Sequence, residues 1–426
     1  MRKYFGTDGV RGVANKELTC DLAYRLGRAG GYVLAQGDHR VKVVVGKDTR
    51  MSGDMLESAL IAGLMSVGCD IIPVGVIPTP AVAYLTRKYN ADCGVVISAS
   101  HNPMEDNGIK FFNKDGFKLD DAIELEIEKY IENIDKVDCN PVGENVGVIN
   151  HEHNALRDYV DYLKSIINVD LTGMKVVLDC ANGASYEVAP TVFKELGANV
   201  IDINTTPNGK NINDKCGSTH PEMLQKAVVE NKADLGLAYD GDADRLIAVD
   251  ENGNIVDGDH IMILSAVYLK KKNQLSNNTL VITVMTNIGL NVAAREHGIN
   301  LETTDVGDRY VIEAMKKGEF NLGGEQSGHM IFSDYNTTGD GVLSSLMLSK
   351  IIMEEKKPLS ELASIMSVYP QVLVNVEVKN EVKNKFMEVE EIKNEITRIE
   401  ELMEGSGRVL IRPSGTQPLV RVMLEG

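Results

Sequence analysis

Three runs of β-branched and other apolar residues divide most of the chain into similar units. They lie in VKVVVGKDTR (41–50), MKVVLDCANG (174–183) and LVITVMTNIG (280–289), and each run ends in small or polar residues before a helical pattern begins. Continuous apolar strands that alternate with helices are typical of sheets buried on both faces. The pattern therefore predicts α/β units, and the strand composition taken alone favours all-parallel sheets.

Each unit closes with a second strand-like run that leads into a polar loop. These segments are ADCGVVISASHNP (91–103), ADLGLAYDGDADR (233–245) and the less regular FNLGGEQSGH (320–329), and the first two share Ala-Asp-x-Gly. Ligands of α/β sheets gather at the carboxyl ends of strands. We therefore expect three copies of one architecture, each of which directs one loop to a common site.

The last part of the chain has a different pattern. From about residue 366 a strand at 371–378 precedes a charged helix and the segment GRVLIRPSGTQPLVRVMLEG, which predicts a small α+β domain. One face of the charged helix is apolar and consists of Val389, Ile392, Ile396, Ile399 and Met403. Earlier in the chain, the helix predicted at 121–134 carries Ile123, Ile127 and Ile131 on one stripe. The predicted domains are 1–152, 153–252, 253–365 and 366–426.

Length and charge narrow the classes of function. A chain of 426 residues is too long for one ordinary core. The net charge of −18 argues against a nucleic-acid binder, which needs a basic face. The segment MRKYFGTDGVRG lacks the apolar stretch of an export signal, and no run of about 18 apolar residues is found, so we expect neither export nor a membrane span. The cysteines have neither CxxC nor zinc spacing, so we expect reduced thiols in a cytoplasmic protein.

DGDADR (240–245) is the most specific motif. Asp240, Asp242 and Asp244 alternate, and Gly241 permits a tight turn, so three carboxylates converge on a point that needs a cation. Ligands that offer only oxygen favour Mg²⁺. An EF-hand is rejected because its sixth position would be Arg245 rather than glycine. A solvated acidic turn is the simpler alternative.

Ser100 follows a strand-like run in SASHNP. A turn is one explanation, since Ser, Asn and Pro all favour turns. A hydrolase nucleophile has less support, because the G-x-S-x-G elbow is absent and the adjacent His101 points away from Ser100 on an extended strand end. A phosphoserine that faces the three aspartates fits better, because a bound metal would neutralise charge during phosphoryl transfer.

Lysine and arginine residues near these motifs suit a phosphorylated ligand. Lys110 in NGIKFF is expected to have a lowered pKa among cationic neighbours and a metal, and to act as a general acid or base. An ordinary surface lysine is the alternative. Arg11 lies in the Gly-rich GTDGVRG, where it suits contact with a phosphate.

Two later loops carry groups for a sugar and for a phosphate. Glu325 and His329 in GGEQSGH can hydrogen-bond sugar hydroxyls. RPSGTQP (412–418) offers a guanidinium, hydroxyls and backbone amides, which together suit a phosphate dianion. No P-loop and no GxGxxG appears, so a nucleotide site has no support.

The motifs GTDGVRG, SASHNP, DGDADR, GGEQSGH and RPSGTQP, in this order, resemble the α-D-phosphohexomutase superfamily over the whole chain. EQSGH together with VGDRYV (306–311) is similar to its bacterial amino-sugar branch, since hexose mutases usually carry Met where Gln326 stands. The resemblance implies four domains around a central cleft, the first three with mixed rather than all-parallel sheets. It implies interconversion of glucosamine 6-phosphate and glucosamine 1-phosphate for UDP-N-acetylglucosamine synthesis.

The resemblance also implies a role for each motif residue. Ser100 carries the phosphoryl group and, with Asp240, Asp242 and Asp244, binds one Mg²⁺. The expected catalytic residues beside Ser100 are Lys110, Arg11 and His101. The expected substrate-binding residues are Glu325, Ser327, His329, Arg412, Ser414, Gly415, Thr416 and Arg421. Hexose or glucosamine 1,6-bisphosphate acts as primer, the substrate is a phosphorylated amino sugar, and the protein is a monomer or homodimer.

Two departures from the superfamily pattern and three alternatives remain. Gln417 stands where a glutamate is usual. The superfamily also continues past RVMLEG with a terminal helix, so we expect an exposed apolar face on the last domain. The alternatives are a mutase for plain hexose phosphates, a non-catalytic sugar-phosphate sensor and a serine phosphatase. The sensor is disfavoured, because it would need no phosphoryl carrier.

Overall fold

Four sheets follow one another along the chain in a computed structural model, which describes residues 3–6, 8–34, 39–151, 154–379, 385–403, 407–413 and 419–426. The first three sheets repeat one topology, and the fourth is smaller. Across these ranges no helix combines the length and the apolar character that a membrane span requires. The four-domain α/β architecture that the sequence predicts is confirmed.

The first sheet contains β1 (Val10–Val13), β2 (Lys42–Lys47), β3 (Asp70–Val76), β4 (Cys93–Ile97) and β5 (Asp106–Asn113). Its helices are α1 (Cys20–Leu34), α2 (Gly53–Met65), α3 (Thr79–Lys88) and α4 (Asp121–Glu132). The order is β1-β5-β4-β2-β3, with β3, β2 and β4 parallel and with β5 and β1 antiparallel. Both faces of β4 are buried, which explains its unbroken apolar sequence.

The second unit repeats this plan. It consists of α5 (Ala155–Ile167), β6 (Lys175–Asp179), α6 (Val188–Glu195), β7 (Asn199–Ile203), α7 (Glu222–Asn231), β8 (Leu235–Tyr239), β9 (Leu246–Asp250) and β10 (Ile255–Val256). The order is β10-β9-β8-β6-β7, and β9 is antiparallel to β8. Since β10 pairs with this sheet, the second unit extends at least to Val256. The predicted domain boundaries themselves stay a prediction.

The third unit has a four-stranded sheet. Its elements are α8 (Gly258–Lys271), β11 (Thr279–Thr283), α9 (Ile288–Glu296), β12 (Asn300–Thr304), α10 (Asp308–Gly318), β13 (Leu322–Gly324), β14 (Met330–Phe332), α11 (Gly341–Glu355) and α12 (Leu359–Ala363). The order is β12-β11-β13-β14, and the last pair is antiparallel.

The mixed sheets correct the all-parallel interpretation of the strand composition. In each of the three units a polar loop, at 98–105, 240–245 or 325–329, joins a buried strand to an antiparallel partner. A parallel connection needs a crossover of a dozen or more residues. These loops are too short for that, so the chain returns along the neighbouring strand. The mixed sheets implied by the resemblance are confirmed.

The fourth unit is an antiparallel sheet with one helix. It contains β15 (Gln371–Glu377), α13 (Glu390–Leu402), β16 (Arg408–Pro413) and β17 (Leu419–Glu425), in the order β15-β17-β16. The predicted apolar face of α13 lies against one face of this sheet. Val372 and Val374, on that same face according to the strand register, are 58% and 47% exposed. An exposed apolar face is therefore present, as expected.

One buried cluster connects the first three units. It includes Val96 of β4, Leu237 of β8 and Ile282 of β11. Helix α5 joins the units through Tyr159, whose hydroxyl donates to Asp340 Oδ2 at 2.6 Å at the beginning of α11. Burial of this apolar surface, at about 25 cal/mol per Å², holds the three polar loops in a fixed relation.

Candidate active site

The three polar loops meet at a cleft of about 700 Å³. Ser100 of the first loop donates a hydrogen bond from Oγ to Asp240 Oδ2 of the second at 2.6 Å. Arg245, at the end of the second loop, forms an isolated β-bridge with His329 of the third. The structure thus brings Ser100, the DGDADR motif and the GGEQSGH motif together, although they are far apart in the sequence.

Ser100 lies at the end of β4 with an unusual backbone. Its φ of 54° is in the left-handed region, which residues other than Gly, Asn and Asp rarely adopt. The residue is 1% exposed. Non-glycine residues with such angles cluster at active sites, where the surrounding structure holds them. The conformation favours a specific role for Ser100 over an ordinary turn.

The three aspartates of DGDADR are buried next to one another. Asp240, Asp242 and Asp244 offer carboxylate oxygens that all lie within 4.8 Å of one another. Burial and the neighbouring charges of Asp244 and Asp242 raise the pKa of Asp240 well above its usual range. Burial also opposes ionisation of Asp244, but His329, Lys110 and Arg245 outweigh it and lower the pKa of that carboxyl.

Two oxygens of this cluster suit a divalent cation. Asp242 Oδ1 and Asp244 Oδ1 are buried and have no hydrogen-bond partner among the described residues. The other oxygen of Asp242 accepts from Thr79 Oγ1 at 2.7 Å and from Lys110 Nζ at 2.8 Å. Hard oxygen donors without a partner fit Mg²⁺ or a similar ion. The donor set therefore fits the metal that the sequence predicts.

Lys110 is buried between two carboxylates. Its Nζ lies 2.8 Å from Asp242 Oδ2 and 3.1 Å from Asp8 Oδ2. Burial disfavours the charged form, but Asp242 and Asp8 outweigh burial and raise the pKa of Lys110. The two carboxylates thus outweigh the neighbouring Arg11. The lowered pKa is expected beside a bound metal, and it stays a prediction. Lys110 is also 2% exposed, so it is not an ordinary surface lysine.

Arg11 and His101 lie beside Ser100. Arg11 forms a salt bridge with Asp8 and, like Ser100, lines the cleft. His101 Nδ1 is 3.4 Å from Ser100 Oγ, which is long for a hydrogen bond. Burial, followed by the charges of Arg245 and Arg11, lowers the pKa of His101 to about 4. His101 is therefore neutral at pH 7.

The third loop places two of its predicted residues in the cleft. Glu325 and His329 line it, and Glu325 Oε1 accepts from Gly307 N at 3.1 Å. His329 Nδ1 lies 3.5 Å from Asp244 Oδ2, so the loop also contacts the aspartate cluster. Ser327 is exposed and is not among the residues that line the cleft.

Gln326 does not face the cleft, although it distinguishes this loop from that of the hexose mutases. Its Nε2 donates to Asp257 Oδ2 at 3.2 Å. Asp257 caps the N-terminus of α8. The amide of Gln326 therefore anchors the loop to a helix.

The predicted phosphate loop is described only at its edges. Ser414, Gly415 and Thr416, like Gln417, lie outside the described residues. Arg412 of β16 and Arg421 of β17 are directly opposite each other in the strand register. Like charges in this position repel, so an anion between them would relieve the repulsion. Neither arginine is among the residues that line the cleft.

Four charged residues of the cleft were missed by the sequence analysis. Lys118 forms salt bridges with Asp8 of the first unit and with Asp308 Oδ2 of the third, the latter at 2.5 Å. Arg245 lines the same cleft. Asp8, Arg245 and Asp308 lie within quoted motifs, where their charge could have pointed to them. Nothing in the local pattern distinguishes Lys118.

The comparisons with known proteins cover the whole chain. Four family models match: "Phosphoglucomutase/phosphomannomutase, alpha/beta/alpha domain I" at residues 2–138, domain II at 157–253, domain III at 257–369, and the C-terminal domain at 373–426. The chain belongs to the phosphoglucomutase/phosphomannomutase family. The resemblance read from the motifs is confirmed.

Curated members of this family are similar to the chain over its full length. "Phosphoglucosamine mutase" of Clostridioides difficile (strain 630) is 78% identical, with 100% of this chain and 95% of that protein covered. The protein of the same name from Thermoanaerobacter sp. (strain X514) is 62% identical with the same coverage.

Solved structures of family members share the fold. A phosphoglucomutase/phosphomannomutase family protein from Burkholderia thailandensis has a TM-score of 0.82 at 26% identity and covers 100% of this chain and 94% of its own. Aspergillus fumigatus N-acetylphosphoglucosamine mutase, solved in complex with GlcNAc-6P and magnesium, has a TM-score of 0.67 at 18% identity. It covers 100% of this chain and 92% of its own, and at that identity it supports the fold alone.

Proposed function

We propose that this chain interconverts glucosamine 6-phosphate and glucosamine 1-phosphate, for the synthesis of UDP-N-acetylglucosamine. Full-length similarity to proteins named phosphoglucosamine mutase supports this assignment. The observation that carries the mechanism is the Ser100 hydroxyl, which lies 2.6 Å from Asp240 in a cluster of three buried carboxylates. A sensor would need neither this hydroxyl nor the cluster.

In this mechanism Ser100 is the phosphoryl carrier. The P–O bond of phosphoserine breaks as the substrate's free hydroxyl oxygen forms a new P–O bond, and the proton of that hydroxyl ends on the Ser100 oxygen. Serine and a sugar 1,6-bisphosphate result. The bisphosphate then presents its other phosphate, which returns to Ser100 and leaves the isomeric monophosphate. A hexose or glucosamine 1,6-bisphosphate primer would first load Ser100.

The three aspartates would hold one Mg²⁺ together with Ser100. The buried oxygens Asp242 Oδ1 and Asp244 Oδ1, which have no hydrogen-bond partner among the described residues, support this role. When bound, the ion supplies positive charge that stabilises the phosphoryl group in transfer. Thr79 and Lys110 occupy the other oxygen of Asp242 and so orient its carboxylate.

Charged side chains of the cleft would stabilise and orient the phosphoryl group. Lys110 and Arg11 are cations near Ser100, and Asp8 orients both by direct salt bridges. The lowered pKa makes His101 a weak base, and its Nδ1 is too distant from Ser100 Oγ for a good hydrogen bond, so we assign it a supporting contact rather than proton removal.

The substrate would contact the third and fourth units. We assign the sugar to Glu325, Ser327 and His329. The distal phosphate would bind Arg412, Ser414, Gly415, Thr416 and Arg421. The opposed pair Arg412 and Arg421 supports a dianion there.

The six cysteines are free thiols, which supports a reducing cytoplasmic location.

Glu325 is our candidate partner for the C2 ammonium of the amino sugar. Asp8 and Asp308 are already paired with Lys118, whereas Glu325 Oε1 accepts a backbone N–H from Gly307. A site built to pair a charged group rejects analogues that lack it, because its own carboxylate is then left unpaired. Gln326 can influence this choice only indirectly, since its amide contacts Asp257.

The test compares glucosamine 6-phosphate with glucose 6-phosphate and mannose 6-phosphate at fixed Mg²⁺ and primer. We expect a kcat/KM advantage of at least about tenfold for the amino sugar. Glu325→Gln should narrow this advantage, whereas Glu296→Gln, an exposed change in the same unit, should leave it unchanged. Equal or better turnover of the plain hexose phosphates would overturn the assignment in favour of a hexose mutase. Release of inorganic phosphate without isomerisation would indicate a phosphatase.

A further inference from the structure

The loop that carries Ser100 is held by its backbone carbonyls. Ser100 has a left-handed backbone, so its geometry depends on contacts that surround the loop. Two of its carbonyl oxygens, those of Ser100 and Asn102, each accept hydrogen bonds from two side chains. The donors are Arg50 of the first unit and Asn213 of the second.

Arg50, from the first unit, binds four backbone carbonyls in and next to the Ser100 loop. Its side chain is fully buried, and Nη2 donates to Ser100 O at 3.0 Å and to Asn102 O at 2.8 Å. Its Nη1 donates to Asp106 O at 3.0 Å and also to Pro103 O. The planar guanidinium therefore matches the curve of the loop with several fixed donors, which a lysine cannot reproduce.

A second chain of contacts fixes the other side of Ser100. Arg50 Nε donates to Asp48 Oδ2 at 2.9 Å, and the same oxygen accepts from Ser98 Oγ at 2.6 Å. Ser98 Oγ in turn accepts from the backbone N of Ser100 at 3.0 Å. The C=O of Ser100 thus accepts directly from the buried Arg50 guanidinium. Its N–H is connected to the same guanidinium through Ser98 and Asp48.

Asn213 holds the same carbonyls from the second unit. Its Nδ2 donates to Ser100 O at 2.9 Å and to Asn102 O at 3.0 Å, and the residue is 9% exposed. Gly241 approaches from the same side, where a Cβ would lie 2.5 Å from Ser100 O. The second unit, which contains the aspartate cluster, therefore binds the backbone of the Ser100 loop directly.

We propose that Arg50 and Asn213 form a clamp that positions Ser100 for transfer to the sugar rather than to water. Neither residue lines the cleft, so both act through the backbone of Ser100. A sugar hydroxyl is held in one place and requires the phosphoryl group in line with it, and a displacement of about 1 Å can lower such a rate about 100-fold. Water must also attack in line, but it is mobile and can reach that line from several positions once the phosphoryl group has shifted. A loosened clamp should therefore impair isomerisation more than hydrolysis of the phosphoserine.

This inference rests on the proposed function, and one experiment tests the proposed function and the clamp separately. Wild type, Asn213→Ala and Asn213→Asp are incubated with glucose 1,6-bisphosphate, and the phosphate on residues 94–103 is measured by peptide mass. Isomerisation of glucosamine 6-phosphate and release of inorganic phosphate are then followed in the same samples. Asn213→Asp keeps the size of the side chain but removes its N–H donor. Arg50→Lys tests the opposite side of the clamp.

We expect the variants to take phosphate on Ser100 and to isomerise about 10- to 100-fold more slowly. Phosphate release per isomerisation should rise at least about tenfold, with KM changed less than about twofold. Asn211→Ala is the control. The Asn211 side chain bonds the backbone of Asn208 and Thr206, near Asn213 in the sequence, and the substitution removes no hydrogen bond to Ser100 O or Asn102 O. This variant should release as much phosphate per isomerisation as the wild type.

Three outcomes would overturn the clamp. In the first, isomerisation and phosphate release fall in equal proportion in both Asn213 variants and in Arg50→Lys. In the second, neither changes. In the third, Asn211→Ala shifts the ratio as strongly as Asn213→Ala, which would indicate general loss of loop structure. A wild type that takes no phosphate on Ser100 would instead overturn the proposed function, and the clamp with it.

Discussion

At the scale of single residues, the two carboxylate oxygens of Asp242 have different surroundings. Oδ2 accepts hydrogen bonds from Thr79 and Lys110, whereas Oδ1 is buried and has no partner among the described residues. A buried acceptor without a hydrogen-bond partner is unfavourable, so Oδ1 supports our proposal that Asp242 binds a metal ion. In that proposal the charge of Asp242 serves the ion, and the two donors to Oδ2 orient the carboxylate.

Asp242→Asn should reduce activity strongly. The amide keeps the shape of the side chain but removes the negative charge that a divalent cation needs. We expect kcat to fall roughly 100-fold or more, which corresponds to about 2.7 kcal/mol in the activation free energy. Turnover with glucosamine 6-phosphate at saturating Mg²⁺ measures this loss.

Asp214→Asn, which changes an exposed carboxylate in the same unit, is the matched control and should retain full activity. Excess chelator should abolish wild-type turnover, and added Mg²⁺ should restore it. Undiminished turnover in the chelator would exclude the metal role of the cluster.

At the scale of elements, helices α1 and α2 cross at two glycines. A Cβ on Gly27 would lie 2.2 Å from Leu60 O, and a Cβ on Gly63 would lie 2.1 Å from Tyr24 O. Backbone atoms cannot move aside as flexible side chains can. The two helices, which cover one face of the first sheet, therefore pack closely only because both positions lack a side chain.

Gly63→Ala should destabilise the protein despite the better helix propensity of alanine. Propensity favours alanine by about 1 kcal/mol, but overlap with a backbone carbonyl forces the helices apart and costs more, typically 1–3 kcal/mol and occasionally above. We expect the thermal midpoint of unfolding to fall by several degrees, on the order of 2–4 °C per kcal/mol.

Gly53→Ala in the same helix is the control. There the nearest atom to an added Cβ is Lys47 Cδ at 3.4 Å, an ordinary contact. The thermal midpoint of the Gly53→Ala protein should equal that of wild type or be slightly higher. If both alanines had the same effect on the midpoint, close packing at Gly63 would not be the cause.

The beginning of α8 carries a buried carboxyl with a perturbed pKa. Asp259 Oδ2 accepts from Asn287 N at 2.8 Å, and the residue is 0% exposed. Burial, then the charge of Asp257, raises its pKa to about 8. Glu425 of β17 adds negative charge from the fourth unit, although Arg408 partly balances it through a salt bridge of 2.6 Å.

Asp259 should make the stability of the protein depend on pH. Its folded-state pKa is above its ordinary value of 3.8, so its contribution is fully present below about pH 4 and is lost as pH rises through about 8. The slope is at most about 1.4 kcal/mol per pH unit. Asp259→Asn should flatten the decline in unfolding free energy between pH 5 and 8, as measured by urea titration.

Asp305→Asn, at an exposed carboxylate of the same unit, should retain the wild-type slope. An Asp259→Asn protein with the same pH slope as wild type would contradict this assignment. The comparison is made at one ionic strength, because salt screens the charges of Asp257 and Glu425.

At the scale of the whole molecule, charged side chains connect units that the chain separates. Lys118 joins the first unit to the third, and Thr79 of the first unit donates to Asp242 of the second. The fourth unit contacts the third through Glu425 Oε1, which accepts from Ile288 N at 3.0 Å. Each of the first three units contributes residues to the cleft, so the site depends on how they pack together.

Arg412→Gln tests the contribution of the fourth unit. If Arg412 and Arg421 hold the distal phosphate, loss of one guanidinium removes charge-assisted hydrogen bonds to that dianion. We expect KM for glucosamine 6-phosphate to rise about tenfold, with a smaller change in kcat. Steady-state kinetics over a wide range of substrate concentration separates the two constants.

Arg398→Gln on α13 is the control, since that guanidinium pairs with Glu395 on the exposed side of the same unit. Its KM should equal that of wild type. An unchanged KM in Arg412→Gln would remove Arg412 from the phosphate site.

The sequence by itself determined the features that depend on near neighbours. Runs such as 95–97 predict buried strands, because side-chain direction follows from backbone period. Asp240, Asp242 and Asp244 predict a carboxylate cluster, because three carboxylates in one tight turn lie close together. The order of the motifs then identified the family and its mixed sheets. These predictions needed no knowledge of which distant segments touch.

Only the tertiary structure decided the direction of the Lys110 pKa, the orientation of Gln326 and the contacts of Lys118. Lys110 meets Asp242, which is 132 residues away, and Gln326 turns to Asp257 at a separation of 69 residues. A pKa reflects the balance of burial against every nearby charge. The side chains that Arg50 and Asn213 direct at Ser100 likewise come from two different units, and no local pattern specifies that meeting.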